Sequence, residues 1–175
     1  MKPRIVSVMI PLLLLSSLSG CTKPSQPLPK PTTPSYGPNI VHLGGVGDVG
    51  FGESRAELTR RGLLVAQPGP CGPGLAIPAV SPVFADDRLV LLWADPPTRT
   101  PEGVTVGSPV TEARAAYPTA RELTAPPGTY RFNGLLAEQD DRAYLFLHDG
   151  KTVRKTIAGY AEHVQRLFND GFGTC

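Results

Sequence analysis

The sequence predicts an α+β fold, an antiparallel sheet with short helices packed on one face, and three observations carry that expectation. Two helix-start signals recur, Ser54 with Glu57 three positions on and Ser108 with Pro109. After each come β-rich runs broken by turn residues, Asp86-Asp87-Arg88 in the first case and Asp149-Gly150 in the second. Finally, Val49-Gly-Phe-Gly-Glu-Ser-Arg-Ala-Glu-Leu58 aligns with Val104-Thr-Val-Gly-Ser-Pro-Val-Thr-Glu-Ala113. The alignment divides the domain into two degenerate helix-then-sheet repeats, residues 45–97 and 102–175.

In chain order, Lys2 and Arg4 open a basic start, Ile5 to Leu15 is an apolar run, and residues 16–20 are mostly small. That is the layout of a secretory signal peptide over residues 1–20. The run is shorter than the about 20 residues a stable membrane span needs. Leu18-Ser19-Gly20-Cys21 resembles the bacterial lipobox, in which the cysteine is lipidated and becomes the mature N-terminus. The resemblance implies a lipoprotein held in the cell membrane through Cys21 and facing its extracytoplasmic side. The diacylglyceryl group of such proteins anchors firmly, because more than one acyl chain is buried. Residues 21–38 then read as a tether, with six prolines from Thr22 to Pro38 and no acidic residue. At about 3.1 Å per residue in polyproline II, it spans roughly 50 Å.

Residues 39–175 suit a single globular domain. Short helices are expected at Ser54–Arg61 and Pro109–Ala116, each stopped soon after by Gly62 or Pro118. Strands are expected at Val80–Ala85 and Leu89–Ala94, then at Tyr130–Ala137, Arg142–His148 and Thr152–Ala158. "VFADDRLVLL" and "LFLHDGKTVRKTI" read as equivalent hairpins. A last helix, Tyr160–Asn169, sets Tyr160, Val164, Leu167 and Phe168 on one face and stops at Gly171. "GVTVGSPVTEARAAYP" and its weaker partner "DVGFGESRAELTRRG" resemble the β-lactamase inhibitory protein superfamily and the small lipoproteins that assist outer-membrane assembly. The resemblance implies a binding or scaffolding role with no catalytic residues to carry over. "QPGPCGPGLAIPAVSP" departs from that family's first strand-turn segment.

Charge narrows the partners. Of 17 basic and 15 acidic residues, Lys2 and Arg4 leave with the leader, so the mature chain carries 15 of each. An evenly mixed, neutral surface does not match a phosphate backbone, and nucleic acid is excluded as a partner. The three cysteines are read together: with Cys21 lipidated, Cys71 and Cys175 remain and can pair as a disulfide in an oxidising compartment.

Chemical motifs are sparse. Gly45-x-Gly47-x-x-Gly50 is a literal dinucleotide fingerprint, but the next helix is short and no acidic residue lies about 20 positions on. The glycines read instead as a loop into the first helix, and no cofactor is expected. His42, His148 and His163 make no zinc spacing and read as surface or lightly packed residues. The Asp86-Asp87 and Asp140-Asp141 pairs fit hairpin turns, not a calcium loop. Tyr130, Phe132, Tyr144 and Phe146 alternate, which places them on one sheet face. Trp93, ending an apolar strand, reads as a core residue or as a candidate interaction anchor.

The functional expectation is a non-catalytic binding or scaffolding module at the cell envelope, with an envelope protein as partner. One alternative is an inhibitor of a secreted enzyme, which requires an exposed aromatic cluster. Another is a small envelope hydrolase, which requires a pocket holding a histidine beside a carboxylate and a serine or threonine.

Overall fold

A computed structural model describes residues 35–66, 72–127 and 131–171. The leader with its Cys21 lipidation signal, the tether as far as residue 34, Cys71, Tyr130 and Cys175 lie outside the described residues. Val41–His42 (β1), Gly45–Val46 (β2) and Val49–Gly50 (β3) form a small antiparallel meander, followed by the helix Arg55–Arg60 (α1). Leu64–Val65 (β4) pairs with Gly74–Leu75 (β5), and the hairpin Val80–Ala85 (β6) and Arg88–Ala94 (β7) comes next. The second half holds the helix Val110–Ala116 (α2) and the strands Arg121–Leu123 (β8) and Asn133–Gln139 (β9). Arg142–His148 (β10), Val153–Tyr160 (β11) and the helix Ala161–Asp170 (α3) complete it. The main sheet runs β6-β7-β11-β10-β9-β8 and is antiparallel throughout. An antiparallel sheet with short helices is what the sequence predicts.

The helices do not share one face. Along β10, Tyr144 and Phe146 join the core cluster that holds Leu58 of α1 and Ala113 of α2. Their neighbours Leu145 and Leu147 join a second cluster with Val164 and Phe168 of α3. The stretch Ala143 to Leu147 carries no charge, so neither face is suited to water, and both are covered. The same two-sidedness corrects the aromatic row. Phe132 packs with the second cluster while Tyr144 and Phe146 lie in the first, because it shares the parity of Gly134 and Leu136 on β9.

The two aligned segments make matching backbone contacts. Glycines 52 and 107, 55 positions apart, both take positive φ, at 87° and 95°. Each donates its N–H to the first core residue of a strand, Leu89 or Val153, at 2.8 Å. Leu89 and Val153 donate back to Glu53 and Ser108, at 3.0 and 2.9 Å. The first helical N–H groups, Arg55 and Val110, both reach into the hairpin turns, to the Asp87 and Lys151 carbonyls. Bridges Ser54–Arg88 and Pro109–Thr152 repeat the pattern once more. The two hairpins meet at a local two-fold axis through the Trp93–Ile157 pair, about which Leu92–Ala158 and Ala94–Thr156 interchange.

Local chemistry explains where the halves differ. Ser54 accepts from the Glu57 N–H at 3.2 Å while the Glu57 carboxylate takes the Ser54 N–H at 2.7 Å, a complete capping box. The second helix starts one residue later than expected: Pro109 is its N-cap, and the Ser108 hydroxyl accepts from Thr105 N–H at 3.1 Å instead. Asp86 and Asp87, at φ 48° and 64°, make a two-residue turn. The turn at Asp149 is two residues longer, because the Asp149 carboxylate accepts from the Lys151 and Thr152 N–H groups at 2.9 and 2.8 Å and organises a wider loop. In β7 a bulge opposite Val83 and Phe84 resets the alternation. A Cβ on the facing Gly159 would come within 2.2 Å of the Val90 carbonyl oxygen, which is why glycine stands there.

Candidate functional site

A cleft of about 330 Å³ opens between the β1–β2 corner, the end of α2 and the β9–β10 turn. Turn chemistry places its acid. Gly103 N–H donates to the Thr100 carbonyl at 2.9 Å, closing a turn with Pro101 and Glu102 at its centre. Buried Thr100 and the Val104 N–H brace the turn from inside, and Ile40 bridges the neighbouring Arg99. Tyr117, the C-cap of α2, donates its phenol hydrogen to the Glu102 carboxylate. Its ring lies 5.3 Å from that of Tyr144 and 5.1 Å from that of Phe146. Tyr144 in turn donates to the Val41 carbonyl at 3.2 Å. Tyr36 stacks on His42 with centroids 4.4 Å apart, so packing against the domain begins earlier than the expected boundary at residue 39.

Two tyrosines and the histidine here are tuned toward neutrality. Burial, then the hydrogen bond to Glu102, pushes the Tyr117 phenol well above its ordinary range. Burial, then the charge of Glu102, does the same to Tyr144. Burial lowers His42, with a backbone hydrogen bond to Gly47 only partly opposing it. His42 Nδ1 accepts from Gly44 N–H at 3.1 Å, so the ring proton sits on Nε2.

Residue types suited to hydrolysis therefore share this cleft: His42, Glu102, Glu138 and Thr119 all line it. They are not connected. Glu102 is bonded to Tyr117 and His42 to Gly44, and no carboxylate lies within ion-pair distance of His42 among the described residues. A second, more open hollow of about 440 Å³ holds Arg88, Tyr160 and His163. There Arg88 donates to the Gly52 carbonyl, and His163 faces Glu162 and Arg166. No group of three or more His, Cys, Asp or Glu side chains suited to a metal occurs among the described residues.

The residues singled out from sequence are dispersed. Trp93 sits on β7, one strand in from the sheet's edge, between Ser81 and Ile157 and partly covered by the second cluster. His148 corrects the surface expectation: it is 3 % exposed, accepts from Gly150 N–H through Nδ1, and turns Nε2 to 3.3 Å from Glu122. It shares the inward parity of Tyr144 and Phe146, and the loop after it folds back over the ring. The fingerprint glycines form the β1–β3 meander instead of a phosphate loop. Among the described residues the large hydrophobic side chain left exposed is Val65, so the aromatic cluster is in a cleft and not on an open face. Tyr36, Glu102 and Tyr117 were not legible as a group, since they lie far apart in sequence; the Pro101-Glu102-Gly103 turn is the one local signal. No helix among the described residues is long and apolar enough to cross a membrane. No protein-family model, curated protein or solved structure matches the chain.

Proposed function

We propose that this chain is a lipid-anchored binding module on the extracytoplasmic side of the cell membrane, non-catalytic, with the aromatic cleft as its ligand seat. The hydrogen bond that commits Glu102 to Tyr117, beside a histidine already bonded to its own backbone, is the observation that carries the reading. His42 spends the one lone pair of its neutral ring on Gly44 N–H, whereas a general base needs that lone pair within reach of a substrate proton. The lipobox-like Leu18–Cys21 and the proline run behind it support the anchor.

The anchor is tested by feeding cells an alkyne-bearing palmitate. The full chain is expected to take up label and fractionate with membranes, and Cys21→Ser to do neither. Equal labelling of both would sink the anchored reading. A small envelope hydrolase is the second reading, favoured by the presence of His42, Glu102 and Thr119 in one cleft. It requires turnover of some chromogenic ester or amide that His42→Ala and Thr119→Ala both abolish.

A further inference from the structure

We propose that the cleft receives an organic cation, an alkylated ammonium group seated against tyrosine rings and beside the Glu102 carboxylate. The inference rests on the binding reading above and names the chemistry of its ligand. Three tyrosines, Tyr36, Tyr117 and Tyr144, line the cleft. The faces of such rings attract a cation within about 6 Å of the centroid, most strongly where water is displaced. Among the described residues the charge inventory has one sign: Glu102 and Glu138 line the space, and no lysine or arginine does. Glu138 has a partner outside the lining, Arg121 at 3.3 Å, but both side chains are about half exposed and the pair is weak.

The other titratable groups add no positive charge. The burial that lowers His42 keeps the imidazole neutral at pH 7, and the raised phenols remain protonated. Glu102, which lines the cleft, is bonded to Tyr117 through Oε2, and no described residue donates to its Oε1. Alternatives fit less well. An anion would meet two carboxylates. A bare metal ion needs 6–8 oxygens of the calcium type, and ring faces supply none. A volume of about 330 Å³ lies at the lower end for small-molecule pockets, which suits a compact head group.

Calorimetric titration of the detergent-extracted full chain with choline tests this, with 3,3-dimethylbutan-1-ol as the uncharged isostere. Choline is expected to bind at least tenfold more tightly than the alcohol. Glu102→Gln and Tyr36→Leu are each expected to weaken choline about tenfold, with near-UV circular dichroism retained as the check on folding. Equal affinity for choline and the alcohol, both lost in Tyr36→Leu, would overturn the cation and leave a binding cleft for uncharged ligands. Choline binding indifferent to both substitutions would overturn the site itself. Absence of any heat with either probe on folded protein would overturn the cation proposal too.

Discussion

His42 shows how one residue ties the cleft to the fold. The ring is stacked on Tyr36, bonded to Gly44 N–H, and partly buried, and burial lowers its pKa from the ordinary value of 6.5. The folded state therefore resists protonation more than the unfolded chain does. Between the two pKa values the unfolded chain binds more protons, so stability increases with pH there. The contribution is fully present above pH 6.5 and is lost as pH falls toward the depressed folded value. Urea midpoints are expected to drop between pH 7 and pH 5 more steeply in wild type than in His42→Gln. Parallel slopes for the two proteins would remove this role from His42. A surface or lightly packed histidine is what the sequence predicts here, and the half-buried ring agrees; the tyrosine six residues earlier that stacks on it has no local signal.

At the scale of elements, the two helix starts were legible and their exact boundaries were not. Aligning Gly52 with Gly107 and Leu58 with Ala113 was enough to find the two helix starts, and the same backbone contacts to the hairpins recur at both. What the alignment missed is which serine caps. Ser54 makes a capping box, whereas Ser108 serves the loop before α2 and Pro109 takes the N-cap position. Ser54→Ala is thus expected to cost about 1 kcal/mol through loss of the cap. Ser108→Ala is expected to leave α2 intact and to loosen the Thr105 turn, with hydrogen exchange rising at the Thr105 amide and not along residues 112–116. Exchange rising through α2 would restore Ser108 as its cap. The shortest pieces, β1 to β5 and β8, escaped prediction because strands of two or three residues carry no alternation to read. Burial on both faces of the sheet was hidden for a related reason. A run such as Ala143 to Leu147 reads equally as a one-sided strand with a stray leucine or as a strand covered twice, and only α3 packing on the far side decides.

For the whole molecule, the question is what besides the core holds the halves together. Their strands meet in one antiparallel ladder, β7 on β11, of four paired positions around Trp93 and Ile157, and Phe51 packs near Tyr160 beside it. The first half contributes one hairpin to the main sheet, and before that hairpin its chain runs through glycine- and proline-rich sequence. A covalent link between the halves would add to that contact. The expected Cys71–Cys175 bridge joins the first repeat to the second and closes a loop of roughly 100 residues, worth on the order of 4–5 kcal/mol if it acts through chain entropy. Exported protein is expected to take up no maleimide at these two positions until it is reduced, then one at each. Cys71→Ser with Cys175→Ser is expected to unfold at lower urea with a steeper denaturant dependence, as a longer unlinked chain exposes more surface. Maleimide uptake before reduction would show two free thiols, and the ladder at Trp93 would then have to hold the halves with noncovalent packing alone.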